Sequence, residues 1–123
     1  MKIIVCAIFI FISNSVYANE NRSRIEELFL WKMSEDLKLS NKEEKSFSTY
    51  IRELNTRKTR SNEDIQKHIQ KMSLANVRSE KEILIKAYRK MLSAYNKLQI
   101  EEVDKISKLL GPEKATQYFV FKN

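Results

Sequence analysis

Three side chains on one predicted helical stretch could together bind a metal ion. Asp64, His68 and Met72 are spaced four residues apart, which places an oxygen, a nitrogen and a sulfur donor on one helical face. A tight transition-metal site requires several ligands of matched softness, yet the chain has one histidine and one cysteine in all. We therefore expect no bound metal or other cofactor, and only a weak candidate site at these residues. We expect His68 to lie at the helix edge and to pair with Asp64.

The same scarcity excludes the common catalytic and nucleotide-binding motifs. The single glycine cannot form a glycine-rich phosphate loop, and no GxSxG sequence is present to supply a nucleophilic serine. The acidic pairs Glu43–Glu44 and Glu101–Glu102 have the spacing of ordinary exposed helix charges. We therefore predict that the chain is not an enzyme.

Basic side chains are concentrated in the middle of the sequence. Residues 52–97 contain 12 basic and 5 acidic side chains, whereas residues 98–123 contain 4 of each. This charge could serve only to keep the chain soluble, or it could attract an acidic or flexible partner. Tyrosine would add apolar contact area with a polar tip. The candidate client-binding or partner-binding residues are Arg52, Arg57, Lys58, Arg60, Lys86, Arg89, Lys90, Tyr50 and Tyr88.

The first 18 residues have the layout of a cleavable export signal. Lys2 precedes a run of 10 apolar residues, and Val16 and Ala18 occupy the −3 and −1 positions of a cleavage site. A membrane anchor would need about 20 apolar residues. We therefore expect cleavage after Ala18, an extracytoplasmic location, no stable membrane insertion afterwards and no nucleic acid as a partner.

Residues 19–123 are predicted to form a single all-α domain. Apolar residues recur every three or four positions in residues 21–37 and again in residues 80–110. Ser40 with Glu43 forms a capping box that predicts the start of a second helix. Gly111 and Pro112 predict the end of the long helix and the start of a last short helix over residues 113–121.

The course of the second helix is open at this stage. It could end near Thr59, with a new helix beginning at the S-x-x-D sequence from Ser61 to Asp64, or it could continue through residues 55–62. We expect a turn at residues 74–79. The prediction is a hairpin-type fold of four to five helices. We expect it to be elongated, because about 30 helical residues span about 45 Å.

Two short segments resemble the paired LTxxQ motifs of the Spy/CpxP family of periplasmic proteins. The first is LSNKE at residues 39–43, and the second is LGPEK at residues 110–114. The ending after the second segment resembles that of the heavy-metal-sensor-like branch of this family. The residues that match the family motif or occupy its positions include Leu39, Ser40, Glu43, Leu110, Pro112 and Glu113.

The sequence departs from the family pattern at four positions. Ser40 and Gly111 stand where threonine is usual, and Glu43 and Lys114 stand where glutamine is usual. Ser40 can cap a helix as threonine would. The resemblance implies a curved all-α protein that forms a cradle-shaped homodimer in the periplasm.

The resemblance also implies two alternative functions. Spy-like members are ATP-independent chaperones, and CpxP-like members restrain an envelope-stress sensor kinase. We therefore expect a holdase-type chaperone that binds unfolded or partly folded envelope proteins on a basic, partly apolar concave face. The alternative is a regulator that binds one sensor domain of an envelope-stress kinase or anti-sigma system. Metal sensing, which a third branch of the family performs through clusters of histidine and methionine, is less expected because this sequence lacks such a cluster.

Overall fold

The computed structural model describes residues 20–123, and all regular structure in this range is helical. Helix α1 covers residues 20–36, α2 covers Asn41–Leu74 and α3 covers Arg78–Lys122. The all-α prediction is confirmed for these residues. The predicted export signal and its cleavage site lie outside them. No helix in the described range is long and apolar enough to cross a bilayer.

The chain divides into two compact units between Leu39 and Ser40. In the first unit, one face of α1 is buried through Leu30, Met33 and Leu37. Ile25 and Leu28 also follow the apolar periodicity predicted for residues 21–37, but these side chains are exposed.

A Schellman motif closes α1. The amide of Lys38 donates to the carbonyl of Glu35, and that of Leu39 donates to the carbonyl of Ser34. Lys38 has the left-handed φ of 52° that this motif requires. A lysine therefore occupies a position that glycine usually fills.

In the second unit, the predicted capping box begins α2. The Ser40 hydroxyl accepts a hydrogen bond from the Glu43 amide at 3.2 Å, and the Glu43 carboxylate accepts one from the Ser40 amide at 3.1 Å. From there α2 continues for 34 residues without a break. Residues 55–62 are therefore helical, and the start signal at Ser61 begins no new helix.

The turn between α2 and α3 is three residues long and falls within the predicted range. The amide of Ala75 donates to the carbonyl of Met72, and α3 starts after Val77, whose side chain makes no capping hydrogen bond. Across this turn, His68 Nε2 lies 2.7 Å from the carbonyl oxygen of Leu84. This bond joins the end of α2 to the beginning of α3.

Gly111 divides α3 at the predicted position. Its backbone angles, φ 79° and ψ 167°, are non-helical and essentially restricted to glycine. Pro112 follows, and its missing amide hydrogen suits the first turn of a helical segment. Residues 112–122 form a short terminal segment of α3, which we call the C-terminal arm. The described residues thus form three helices, the third of them kinked, where four to five were expected.

Buried side chains are unevenly distributed along the α2–α3 hairpin. We call residues 65–97 the turn half, and residues 40–64 together with 98–123 the core half. The core half buries most of the apolar side chains, whereas the turn half buries only Ile65, His68 and Ala75. The buried apolar residues of the core half are Phe47, Ile51, Leu54, Leu98, Ile106, Leu110, Ala115 and Tyr118.

Candidate functional site

A buried carboxylate organises the core half. Glu102 on α3 is 3% exposed and accepts hydrogen bonds from three donors. Lys58 Nζ on α2 lies 2.9 Å from Glu102 Oε1, and Tyr118 Oη in the C-terminal arm lies 2.7 Å from Oε2. Lys122 Nζ, also in the arm, lies 2.5 Å and 2.6 Å from the two oxygens. One carboxylate thus fixes the C-terminal arm to both long helices.

Two opposing effects act on the pKa of Glu102. Burial raises it, whereas the hydrogen bonds from Lys122, Lys58 and Tyr118 lower it, and the net result is a pKa below the usual value. The pKa of the Tyr118 hydroxyl is raised, first by burial and then by the bond to this carboxylate. Glu102 is therefore ionised at neutral pH and Tyr118 is protonated. The prediction that Glu101 and Glu102 are both exposed charges is wrong for Glu102.

Aromatic rings surround this cluster. The ring of Tyr118 packs edge-on against Phe47, with centroids 5.6 Å apart, and against Phe119, at 4.9 Å. The hydroxyl of Tyr50 is buried but has no hydrogen-bond partner among the described residues. Burial and the nearby charge of Glu102 raise the pKa of Tyr50. This tyrosine was expected on a binding surface, yet its polar tip faces the protein.

The cluster changes the roles available to two predicted binding residues. The side chain of Lys58 is 17% exposed and is paired with Glu102. Arg57 forms an ion pair with Glu101 at 3.0 Å, in which both side chains are about half exposed. Lys58 therefore stabilises the fold, and Arg57 is partly neutralised.

The two motif-like segments contribute another contact. Lys114 Nζ lies 3.0 Å and 3.3 Å from the two carboxylate oxygens of Glu43. Glu43 and Lys114 occupy two of the four positions at which the sequence departs from the family pattern. The backbone bond from Ser40 and the bond from Lys114 lower the pKa of Glu43. Glu43 thus caps α2 and binds the C-terminal arm at once.

The remaining motif residues occupy different environments. Leu110 is buried, Leu39 is half-buried, and Pro112 and Glu113 are exposed. The second segment therefore packs Leu110 into the core half just before the kink.

The other predicted binding residues lie on the surface. Arg52 and Arg60 are exposed on α2, and Lys86, Arg89 and Lys90 are exposed on α3, with Tyr88 half-buried between them. An open groove between α2 and α3 is lined in part by Arg60, Asp64, Met91 and Lys97. Two of the predicted basic residues, Arg57 and Arg60, thus line this groove. The three on α3 are exposed and are not part of its lining.

The turn half carries nearly all the excess charge of the second unit. It contains 8 basic and 2 acidic side chains, whereas the core half has an excess of one positive charge. No residue of α3 before Leu98 is buried. Large apolar side chains are exposed among these charges at Ile69, Leu74, Val77, Ile83, Ile85 and Leu92. Ile83 and Leu92 follow the apolar periodicity predicted for residues 80–110, whereas Leu74 and Val77 lie in the predicted turn at residues 74–79.

The three weak metal candidates differ in burial. His68 is buried, Met72 is half-buried and Asp64 is exposed. The prediction that His68 lies at the helix edge and pairs with Asp64 is wrong, because its Nε2 contacts Leu84 instead. Within the described range, no three His, Cys, Asp or Glu side chains are grouped in a way that could hold a metal ion.

Comparisons with family models, curated proteins and solved structures give no match for this chain. The resemblance to the Spy/CpxP family thus stays a prediction based on the two short motifs. The second unit has two distinctive features, which are the Glu102 cluster of the core half and the basic, partly apolar surface of the turn half.

Proposed function

We propose that this protein is an ATP-independent holdase-type chaperone that binds unfolded or partly folded polypeptides on the exposed side of α3 in the turn half of its hairpin. One observation carries the proposal. In the first 20 residues of α3 no side chain is fully buried, although a stripe from Leu84 to Tyr95 is half-buried, and Ile83, Ile85 and Leu92 are exposed. A helix that served only to complete a core would bury its aliphatic residues.

The combination of charge and apolar area suits a mobile client. Exposed lysine and arginine attract acidic segments over about 8 Å at physiological ionic strength. Aliphatic side chains supply short-range contact with apolar segments that an unfolded chain exposes. Neither interaction requires a particular client sequence, so several unrelated chains can bind.

The contacts of the basic residues refine the predicted binding set. Lys86, Arg89 and Lys90 are exposed on α3 and Tyr88 is half-buried, whereas Arg60 lines the open groove between α2 and α3. We leave Lys58 and Tyr50 out of the set, because the first is paired with Glu102 and the second has a buried hydroxyl.

The family resemblance agrees with this proposal. The two motif-like segments depart from the pattern at Glu43 and Lys114, and these residues pair with each other. In this chain an ion pair therefore joins the two motif-like segments. On the same resemblance we propose a periplasmic location and a cradle-shaped homodimer. Sedimentation of the purified chain tests the dimer directly.

Suppression of client aggregation tests the proposed function. The protein is mixed with two unrelated unfolding clients, without ATP, at low and at physiological salt. We expect protection of both clients, with weaker protection at the higher salt because the exposed charges are screened. Protection of neither client would contradict the chaperone proposal and favour a regulator that binds one sensor domain.

A further inference from the structure

The turn between α2 and α3 exposes apolar side chains where the chain reverses direction. Leu74, the last residue of α2, is 78% exposed, and Val77, the N-cap of α3, is 60% exposed. Ala75 between them is buried. The turn is therefore anchored by one small residue and presents an aliphatic residue on each side. Such side chains gain free energy when they enter an apolar phase.

Basic side chains flank this turn on both helices. Lys67 and Lys71 are exposed on the last turns of α2, and Arg78 and Lys81 are exposed on the first turn of α3. Arg78 pairs with Glu82 at 3.2 Å, but both side chains are largely exposed and such a pair is weak. The positive charge around the turn is thus available to an anionic surface.

We propose that the α2–α3 turn docks on the surface of a bilayer that contains anionic phospholipid. Leu74 and Val77 enter the headgroup region, and the flanking lysine and arginine side chains contact lipid phosphates. Aliphatic and basic side chains together are the combination that binds anionic membrane surfaces peripherally. The docking goes beyond chaperone activity, because it uses the turn and not the exposed side of α3.

The position of these residues favours a lipid surface over a polypeptide partner. Extended peptides are bound in grooves or along unpaired sheet edges. Leu74 instead precedes the three-residue link where the chain reverses, and Val77 is the last residue of that link. Both side chains are exposed, so a flat surface at this end of the hairpin can contact them. The excess of six positive charges in the turn half is complementary to anionic headgroups.

A fluorescent label at the turn tests this proposal in the full chain. Cys6 is replaced by serine, and a bimane label is attached at Leu74→Cys or, as a matched control, at Ile100→Cys. Ile100 is 61% exposed and lies in the core half. The proteins are mixed with vesicles of phosphatidylglycerol and phosphatidylcholine, or of phosphatidylcholine alone. The full chain also contains the apolar run of residues 3–12. This run is uncharged and can contact both types of vesicle, so a signal that requires anionic lipid is attributed to the turn.

We expect a blue shift of the label at residue 74 with the anionic vesicles only, lost at high salt, and no shift at residue 100. The proposal is overturned if residue 74 shows no shift, if both positions shift equally, or if phosphatidylcholine alone gives the same result. An equal shift with soluble polyglutamate would also overturn it, since the turn would then bind acidic polypeptide.

A charge variant gives a second test that does not depend on the label. Lys71→Gln, Arg78→Gln and Lys81→Gln together should weaken binding to the anionic vesicles by about tenfold or more. The matched control changes three exposed lysines of the core half, Lys42, Lys45 and Lys108, to glutamine. Equal weakening by both variants would contradict docking through the turn. Circular dichroism checks that both variants remain helical.

Discussion

Glu102 shows how a single residue can decide whether the core half holds together. Its carboxylate is buried, and Lys58, Tyr118 and Lys122 donate to it from α2 and the C-terminal arm. Removing one partner of such a buried cluster leaves the others without compensation. The stability of the hairpin should therefore depend strongly on this side chain.

Replacing Glu102 with glutamine keeps the shape of the side chain and removes its charge. We expect the free energy of unfolding at neutral pH to fall by about 3 kcal/mol, because two lysines lose their carboxylate. Urea unfolding followed by circular dichroism measures the change. The neighbouring Glu101→Gln breaks only an exposed pair with Arg57 and should cost less than about 1 kcal/mol. Similar losses in both variants would contradict this account.

The pH dependence of this effect has a defined sign. Glu102 has a lowered pKa in the folded protein, so its contribution is fully present above its unfolded-state pKa of about 4.5. The contribution is lost as the pH falls through the folded-state value. The difference in stability between the wild type and Glu102→Gln should therefore shrink between neutral pH and about pH 3. A difference that stays constant over that range would show that the carboxylate charge is not responsible.

Two tyrosines provide a matched pair of substitutions. Tyr118→Phe removes a hydroxyl that donates to Glu102 and should cost about 1–2 kcal/mol of stability. Tyr50→Phe removes a buried hydroxyl without a partner in the described residues and should be neutral or stabilising. Thermal unfolding of both variants measures the difference, and the reverse order would disprove the hydrogen-bond assignment.

The burial of Glu102 could not be predicted from its sequence neighbourhood. Glu101 and Glu102 are adjacent and look alike, yet one is exposed and the other buried. The lysine partners of Glu102 lie 44 and 20 residues away in the sequence. Helical periodicity places a residue on a face but does not reveal a distant lysine that makes a buried charge tolerable.

At the scale of elements, the ends of helices were predictable because local chemistry sets them. The Ser40–Glu43 capping box begins α2, and Gly111 with Pro112 kinks α3, as the sequence indicates. The continuity of α2 through residues 55–62 was not predictable. There Arg57 and Lys58 pair with Glu101 and Glu102 of α3. These tertiary contacts favour an unbroken helix over a new start at Ser61.

Gly111 offers a test of the kink. A Cβ atom added there would meet no atom within 4 Å, so the cost of a side chain is conformational and not steric. We expect Gly111→Ala to destabilise the protein by about 1–3 kcal/mol, since φ is +79°. Ser93→Ala, at an exposed position inside α3, should instead be neutral or slightly stabilising. Thermal unfolding compares the two, and an unchanged melting temperature for Gly111→Ala would contradict the observed backbone.

At the scale of the whole molecule, the second unit separates its buried core from most of its positive charge. Its core half contains the buried apolar residues and the Glu102 cluster, whereas its turn half carries the positive charge and exposed aliphatic side chains. The sequence predicted the basic region but not which of its residues are paired. It also did not predict that no residue of α3 before Leu98 would be fully buried, because the helical pattern continues unchanged through that region.

The most direct test of the central claim is the affinity of the full chain for a fluorescent, permanently unfolded polypeptide. Lys86, Arg89 and Lys90 are changed to glutamine in one variant, and Lys42, Lys45 and Lys108 in the matched control. Each exposed charge interaction contributes a few tenths to about one kcal/mol. Because the first variant loses three of them, we expect it to bind about tenfold more weakly at low salt. The control should bind like the wild type. Unchanged binding by the first variant, or an equal loss in both, would contradict recognition by the exposed side of α3.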